Sequence, residues 1–244
     1  MASSILLIPL LLFCVAFLYA SVGHGGASGY IAVLTLFGVS MPEYKPVVLT
    51  LNIIIAGISF IQFYRAGYFN WNLAWPFLTT SILFAYLGSH FKTSEHLYNL
   101  ILGIALIFPV VRLLMGPPKE KAEKKKLVLT TALIWGAVIG FAAGFLNIGG
   151  GIFLSPVIVL LAWGNAKDAA SVSSLFIVCN SLAGLAATKI SPDSFNSTSF
   201  SWIAAAVAGG LLGAYLGSHR FNLQTVRYIL SAVLCIASVK LIVG

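Results

Sequence analysis

Charged residues are scarce in this chain. Asp, Glu, Lys and Arg make up 8% of its 244 residues, whereas hydrophobic residues make up 59%. A soluble domain carries about 25% charged residues, and a globule with the present composition would expose large apolar patches. The scarcity of charge therefore excludes a soluble globular domain and indicates a multi-pass membrane protein.

Acidic residues are missing from the apolar stretches. A cation site inside the bilayer would normally use a carboxylate, because an uncompensated charge is costly there. The pattern therefore favours an anionic or neutral substrate, and it removes the usual carboxylate proton relay. The six acidic residues lie in or beside predicted loops, at Glu43, Glu95, Glu120, Glu123, Asp168 and Asp193.

Residues for catalysis or cofactor binding are also lacking. The three cysteines fall within apolar runs, and no CxxC or Cys/His spacing indicates a metal or redox site. No GxxxxGK[ST] motif is present, so the chain has no ATPase site of its own. Since no serine, histidine and carboxylate converge on one polar region, we expect no catalytic residue, no cofactor and no bound metal.

The net charge of +8 comes from positive residues placed between apolar runs. They do not form a polar face interleaved with base-stacking aromatics, so nucleic-acid binding is not expected. The densest group lies in the linker 116–127, which the positive-inside rule places in the cytoplasm. Binding of acidic lipid headgroups is the alternative role for this linker. Its lysines are Lys119, Lys121, Lys124, Lys125 and Lys126.

Two copies of one apolar unit make up the chain. The hexapeptide AYLGSH at 85–90 recurs at 214–219, and residues 17–26 align with 141–150. The predicted repeats are 1–115 and 128–244, with about five apolar segments in each. Because an odd number of segments reverses the second copy in the bilayer, the predicted fold is an all-α membrane protein of two inverted-topology repeats.

Two of the ten predicted apolar segments are short. Those at 25–39 and 149–163 have about 15 residues each, whereas a spanning helix needs about 20. Each either folds back on the preceding segment as a re-entrant hairpin or crosses as a short helix. Both options place Arg65, Lys167, Arg220 and Arg227 on the cytoplasmic side with the linker, whereas Lys45, Lys92 and Lys189 fall on the other side, against the rule. The other segments are 4–22, 46–64, 72–90, 97–115, 128–146, 169–188, 200–218 and 224–243.

A glycine-rich break interrupts the apolar sequence once in each half. The first break is residues 23–29 (GHGGASG), and the second break is residues 147–151 (NIGGG). A glycine inside a helix costs about 1 kcal/mol relative to alanine. Unwound backbone at membrane depth is tolerated only where protein buries it or where it lines a cavity.

A helix that restarts after such a break directs free N–H groups and its positive dipole end into the gap. This arrangement suits an anion. The alternative is a tight helix crossing that needs glycine only for packing. The predicted backbone donors are Gly25, Gly26, Gly149, Gly150 and Gly151.

Polar side chains in and near the breaks complete the predicted substrate site. Thr50 and Asn52 follow the first break, and Asn147 belongs to the second. Ser173 and Ser174, with 180–181 (Asn-Ser) further on, occupy the corresponding region of the second half. Hydroxyl and amide groups suit a small oxyanion or its hydration shell. The alternative is hydrogen bonding between helices, which is worth about 0.6 kcal/mol on average.

His24 is the one titratable side chain that the segments place deep in the membrane. It lies in the first break, and its counterpart in the second break is Ile148. Its functional role would be a partner of the anion or a carrier of a proton. The alternative is a neutral histidine that is hydrogen-bonded to the backbone.

Small residues recur along the segments, for example at 213–217 (GAYLG). The small-xxx-small spacing lets helix backbones approach closely in lipid. Packing within the chain is the preferred interpretation, and a homodimer face is the alternative.

The glycine-rich breaks, the 50–52 segment (TLN), the 65–67 turn (RAG) and the two AYLGSH copies resemble the TauE/SafE family of sulfite and organosulfur-anion exporters. The resemblance covers essentially the whole chain. It implies a secondary transporter in the cytoplasmic membrane of a bacterium or archaeon. The implied substrate class is small sulfur anions such as sulfite, sulfoacetate or thiosulfate.

The predicted function is therefore export of a small sulfur anion by alternating access around a midplane site at the two breaks. Two other functions fit the same sequence. One is an anion channel on this scaffold, and the other is a membrane scaffold protein whose glycines serve packing alone.

Overall fold

Helices are the main regular elements of the residues that the structure describes. The computed structural model describes residues 2–39, 41–91, 93–115, 124–190 and 194–220, and separate positions between 228 and 243; it contains no strand within them. The first half holds α1 Ala2–Ser21, α2 Ala27–Leu36, α3 Met41–Arg65, α4 Trp71–Ser89 and α5 Glu95–Leu114. The second half holds α6 Leu129–Leu146, α7 Gly151–Leu160, α8 Ala166–Ala186 and α9 Ser197–His219.

The predicted all-α fold is confirmed. Nine of the ten predicted segments correspond to helices α1 to α9. Half of the predicted segment 224–243 lies outside the described residues, and the positions described there are helical. Most of the predicted linker, 116–123, also lies outside the described residues.

Several helices have the length and apolar composition of membrane spans. Within the described residues, four helices are long and apolar enough to cross a bilayer: α3 from Tyr44, α6, α8 and α9. Large apolar side chains such as Leu83 on α4 and Leu212 on α9 are more than half exposed. Exposed apolar side chains suit a lipid-facing surface, because the lipid tails that they contact are also apolar.

Two helix pairs join the halves through glycine. α1 packs along α9, and α4 packs along α6, and the second half supplies a run of glycines spaced four residues apart in both pairs. A Cβ on these glycines would meet backbone of the facing helix. Close backbone approach is what small residues permit in membranes. The pairs are Gly209–Phe13, Gly213–Phe17 and Gly217–Ser21 for α9, and Gly136–Phe77, Gly140–Ser81 and Gly144–Ala85 for α6.

The 213–217 spacing is thus used for packing within the chain. In both pairs residue numbers rise together along the two helices, so each pair is parallel.

α3 and α8 pack against each other in opposite directions. Leu49 faces Gly184, and three residues further along α3 Asn52 bonds Ser181, which lies three residues back along α8. α3 and α8 occupy matching places in the two predicted repeats. Antiparallel packing of matching helices is what inverted repeats require, although the repeat relation itself stays a prediction.

The short helices α2 and α7 fold back on the helices that precede them. Each has 10 residues and is about 15 Å long, half the thickness of the hydrocarbon core. The Tyr19 hydroxyl of α1 bonds Ser28 of α2 at 2.8 Å, so α2 begins by returning along α1. The Lys125 N–H, just before α6, donates to the Ala162 carbonyl just after α7, at 2.9 Å. α6 and α7 therefore form a hairpin that begins and ends at one end of the molecule.

Of the positive residues predicted to be cytoplasmic, Arg65, Lys167 and Arg220 lie at or next to connections at that same end, and Arg227 lies outside the described residues. Lys167 at the start of α8 donates to the Tyr68 hydroxyl at 3.1 Å and to the Ser218 carbonyl at 3.2 Å. Tyr68 follows Arg65 in the loop after α3, and Ser218 precedes Arg220 at the end of α9. Three connections from both halves thus meet at one end of the molecule, as the predicted sidedness requires.

Candidate functional site

The first break is a helix end followed by a helix start. Gly23 has φ +79°, and the His24 N–H reaches back to the Tyr19 carbonyl at 2.8 Å, which closes α1 in a Schellman motif. Gly26, with φ +98°, precedes α2. Glycine adopts these left-handed conformations without steric cost, so the sequence itself ends one helix and starts the next here.

The second break repeats this geometry with a different residue. Asn147 occupies the left-handed position at φ 56° where the first break has Gly23, and asparagine tolerates that conformation better than most residues. The Ile148 N–H bonds the Ala143 carbonyl at 3.2 Å. Gly149 and Gly150 then take φ +72° and +78° before α7 begins.

Asn52 joins the two breaks. Its Oδ1 accepts the Ala27 N–H at the first turn of α2 at 3.2 Å, and its Nδ2 donates to the Ser181 hydroxyl at 2.8 Å. A Cβ on Gly149 would lie 2.5 Å from Asn52 Nδ2, so the side chain also contacts the second break. Asn52 is fully buried. The start of α2 and the second break therefore face one amide.

His24 crosses from the first break to the second. Its Nε2 lies 3.2 Å from the carbonyl of Gly151, the first residue of α7, and 3.4 Å from the Ser155 hydroxyl. The Ser155 hydroxyl in turn donates to Ser173 at 2.8 Å. His24 is 8% exposed. The predicted residues His24 and Ser173 are thus connected through α7.

Side-chain donors cover carbonyl groups of both breaks. The Tyr30 hydroxyl donates to the Gly25 carbonyl at 2.7 Å. Asn180 Nδ2 donates to the Gly149 carbonyl at 3.5 Å, and His24 donates to Gly151. These donors occupy acceptors of both breaks, whereas the starts of α2 and α7 have N–H groups and positive dipole ends. None of the described side chains hydrogen-bonded to the breaks is Lys, Arg, Asp or Glu.

The glycines of the breaks are closely packed. A Cβ on Gly25 would meet Asn52, and one on Gly151 would meet Ile177. A Cβ on Gly150 would lie 2.8 Å from that of Ala143. Helix packing therefore explains part of the glycine content of the breaks. The polar cluster is present beside these packing contacts, so packing is not the whole explanation.

Two predicted site residues lie apart from the cluster. Thr50 is half-buried, and among the described residues no hydrogen bond links it to either break. The Ser174 hydroxyl donates to the Ser171 carbonyl of its own helix at 2.8 Å. Neither side chain is placed against the two breaks by these contacts.

The structure adds Tyr30 and Ser155 to the site, together with Asn180 and Ser181, which the sequence analysis named only as following Ser173 and Ser174. Asn180 is the counterpart of Asn52, since each amide bonds the break of its own half. The sequence carries one signal for Asn180. Asn52 and Ser181 are 129 residues apart, which is also the interval between the two AYLGSH copies, and Asn180 immediately precedes Ser181. Tyr30 and Ser155 carry no such signal, since their contacts depend on how α2 and α7 are rotated.

A bundle of apolar helices in which two short helices start from glycine-rich breaks and meet at buried polar side chains is the arrangement of a membrane transporter with discontinuous helices. The chain matches the family model for sulfite exporter TauE/SafE over residues 8–241. It therefore belongs to this family, and it is a multi-pass membrane transporter of the TauE/SafE type.

A curated relative spans almost the whole chain. The probable membrane transporter protein y4hK of Sinorhizobium fredii is 34% identical over 238 residues, which cover 94% of this chain and 95% of the relative. No solved structure matches the chain.

Proposed function

We propose that the protein is a secondary transporter that exports a small anion, sulfite or another sulfur oxyanion or organosulfonate, across the cytoplasmic membrane of a prokaryote. It moves the anion without chemical change. The observation that carries the proposal is the convergence of the start of α2 and the second break on Asn52, with no acidic side chain among their described partners.

Helix dipoles supply the positive potential of the proposed site. Each helix N-terminus carries roughly +0.5 elementary charge, and the starts of α2 and α7 are linked through His24 and Asn52. Two such ends sum to about +1. In a gap of low dielectric this charge offsets a monoanion without a buried lysine or arginine, whose desolvation would be costly.

Hydrogen-bond donors complete the proposed binding shell. The backbone N–H groups of Gly25, Gly26, Gly149, Gly150 and Gly151 donate to substrate oxygens. Asn52, Asn147, Ser173 and His24 complete the shell with them, whereas Thr50 and Ser174 make no described contact with either break. Alternating access follows from movement of one half against the other around this cluster.

Ligand-dependent stability of the detergent-purified protein tests the proposal. A panel of sulfite, thiosulfate, sulfoacetate, sulfate, acetate and chloride is titrated while the melting temperature is recorded. A true ligand stabilises the protein by about 2.7 kcal/mol at a hundredfold excess over its Kd. No saturable shift with any sulfur anion would contradict the proposed substrate class.

Asn52→Asp sharpens the test because it is nearly isosteric. The carboxylate still accepts from the Ala27 N–H, but it places a negative charge where the anion is proposed to bind. We expect this variant to melt at a lower temperature, because burial of the carboxylate adds a desolvation cost, and to lose the anion-dependent shift. The control is Ser59→Ala, since the Ser59 hydroxyl bonds the Ala20 carbonyl at 3.3 Å outside the two breaks.

A further inference from the structure

Three buried side chains at the breaks each leave one polar atom without a hydrogen bond within the described residues. These atoms are His24 Nδ1, Asn147 Oδ1 and Asn180 Oδ1. The side chains are 8%, 7% and 2% exposed. Buried polar atoms are ordinarily paired, and an unpaired one calls for an explanation such as a ligand. All three residues lie in a break or bond one directly.

Whether each unpaired atom is a donor or an acceptor follows from the hydrogen bond that the other polar atom of the same side chain makes. His24 Nε2, Asn180 Nδ2 and Asn147 Nδ2 each lie against a backbone carbonyl, of Gly151, Gly149 and Phe145. A carbonyl only accepts, so the atom facing it must carry a hydrogen. The remaining atom is therefore the carbonyl oxygen of each amide, and the unprotonated nitrogen of the neutral imidazole. All three are hydrogen-bond acceptors.

Acceptors beside two helix N-termini make an unusual combination. The N-termini attract negative charge, while the acceptors attract a hydrogen-bond donor and repel a bare oxyanion. One ligand satisfies both when it is an anion that also bears an O–H or N–H group. Because the two dipole ends sum to about +1, the matching ligand carries a single negative charge.

We propose that the substrate is a monoanion that carries a hydrogen-bond donor, and that His24 Nδ1 and Asn180 Oδ1 accept from it. Protonated oxyanions and hydroxy- or amino-substituted sulfonates belong to this class, whereas unprotonated dianions do not. This inference rests on the proposed anion site. It adds that the site selects its substrate by a donor as well as by charge.

A pair of isosteric sulfonates tests the inference. Isethionate and propane-1-sulfonate are both monoanions of similar length, and they differ by a hydroxyl in place of a methyl group. Their dissociation constants are measured by titration calorimetry on the purified wild-type protein. A site built to pair with a hydroxyl rejects the analogue that lacks it, so we expect isethionate to bind about tenfold more tightly.

His24→Gln tests the assigned acceptor. The glutamine amide can still donate to the Gly151 carbonyl, but it offers nothing at the position of Nδ1. We expect isethionate affinity to fall about tenfold more than that of propane-1-sulfonate, so that the preference between the two is lost. Ser59→Ala is the matched control, and it should keep the wild-type preference.

Each other outcome has a distinct meaning. Equal binding of both sulfonates to the wild type would overturn the inference and leave the anion site standing. A preference that survives in His24→Gln and in Asn180→Leu would overturn the assignment of these acceptors. If neither sulfonate binds, the inference is overturned, whereas the anion site fails only if sulfite and thiosulfate do not bind either.

Discussion

At the scale of single residues, the Asn52 side chain contacts three parts of the site. It is an acceptor for the start of α2, a donor to α8 and a packing neighbour of Gly149. An amide suits this position because it has both a donor end and an acceptor end. A charged residue would add a desolvation cost, and an apolar one would leave the Ala27 N–H unpaired.

Removal of the Asn52 side chain should destabilise the protein and disrupt ligand binding. Asn52→Ala leaves the buried Ala27 N–H and the Ser181 hydroxyl without partners, which costs about 1–3 kcal/mol. Thermal unfolding in detergent and anion titration on the same samples measure both effects. Thr50→Ala, two residues away and half-buried, should change stability by less than about 0.5 kcal/mol. Equal effects of the two substitutions would contradict the role given to Asn52.

The pair Thr50 and Asn52 also shows what a sequence can predict about a site. Residues two positions apart on a helix point in different directions, so only one of them can face the breaks. The same holds for Ser173, which bonds Ser155, and for its neighbour Ser174. Residue type and the position of the breaks were predictable, whereas the rotation of α3 and α8 about their axes depends on packing with other helices.

At the scale of helices, the glycine runs on α6 and α9 set the distance between the halves. Gly144 faces the Ala85 carbonyl so closely that a Cβ would meet backbone. Backbone cannot move aside as the end of a flexible side chain can. In contrast, a Cβ on Gly57 of α3 would meet nothing within 4 Å.

These two glycines should respond in opposite ways to alanine. Gly144→Ala forces α4 and α6 apart and should cost about 1–3 kcal/mol, as overpacking does. Gly57→Ala should be neutral or stabilising by up to about 1 kcal/mol, because alanine is the better helix former. Melting temperatures and the yield of monodisperse protein report both. A stable Gly144→Ala protein would show that α4 and α6 are less tightly packed than described.

The number and placement of helices followed from the apolar runs, since each run needs a helix to pair its backbone in lipid. The shortness of α2 and α7 was likewise predictable, because glycine marks one end of each. Whether they fold back was not predictable. That depends on contacts between distant segments, such as the bond from Lys125 to Ala162.

Sidedness of single cysteines tests the two hairpins. Asn165→Cys lies just after α7, and Leu36→Cys lies at the end of α2; both native residues are exposed. We expect a membrane-impermeant maleimide to label Leu36→Cys in intact cells and Asn165→Cys only in inverted vesicles. The background replaces the native cysteines by alanine, at Cys14, Cys179 and Cys235.

Labelling of both positions from one side would contradict the pair of opposed hairpins. Lys126→Cys, in the last part of the linker, is the reference for the cytoplasmic side and should behave like Asn165→Cys.

At the scale of the whole molecule, contacts of Lys167 connect the two halves at one end. This lysine belongs to the second half, and its ammonium group lies 4.7 Å from the ring centroid of Tyr68 in the first half, besides bonding its hydroxyl. It also bonds the end of α9. If the proposed alternating access opens this end, we expect the loop after α3 to separate from the start of α8.

A reversible cross-link between Tyr68→Cys and Lys167→Cys should therefore stop transport. In the cysteine-free background, a short bis-methanethiosulfonate reagent fixes the two positions together, and a thiol reductant releases them. Uptake of radiolabelled sulfite into proteoliposomes should fall to the level of empty vesicles after cross-linking and return after reduction. Each single-cysteine variant, treated in the same way, is the control and should keep its activity. Alternating access needs this end to open in every cycle, whereas flux that persists through the cross-linked protein would contradict a moving pair of halves and favour a channel.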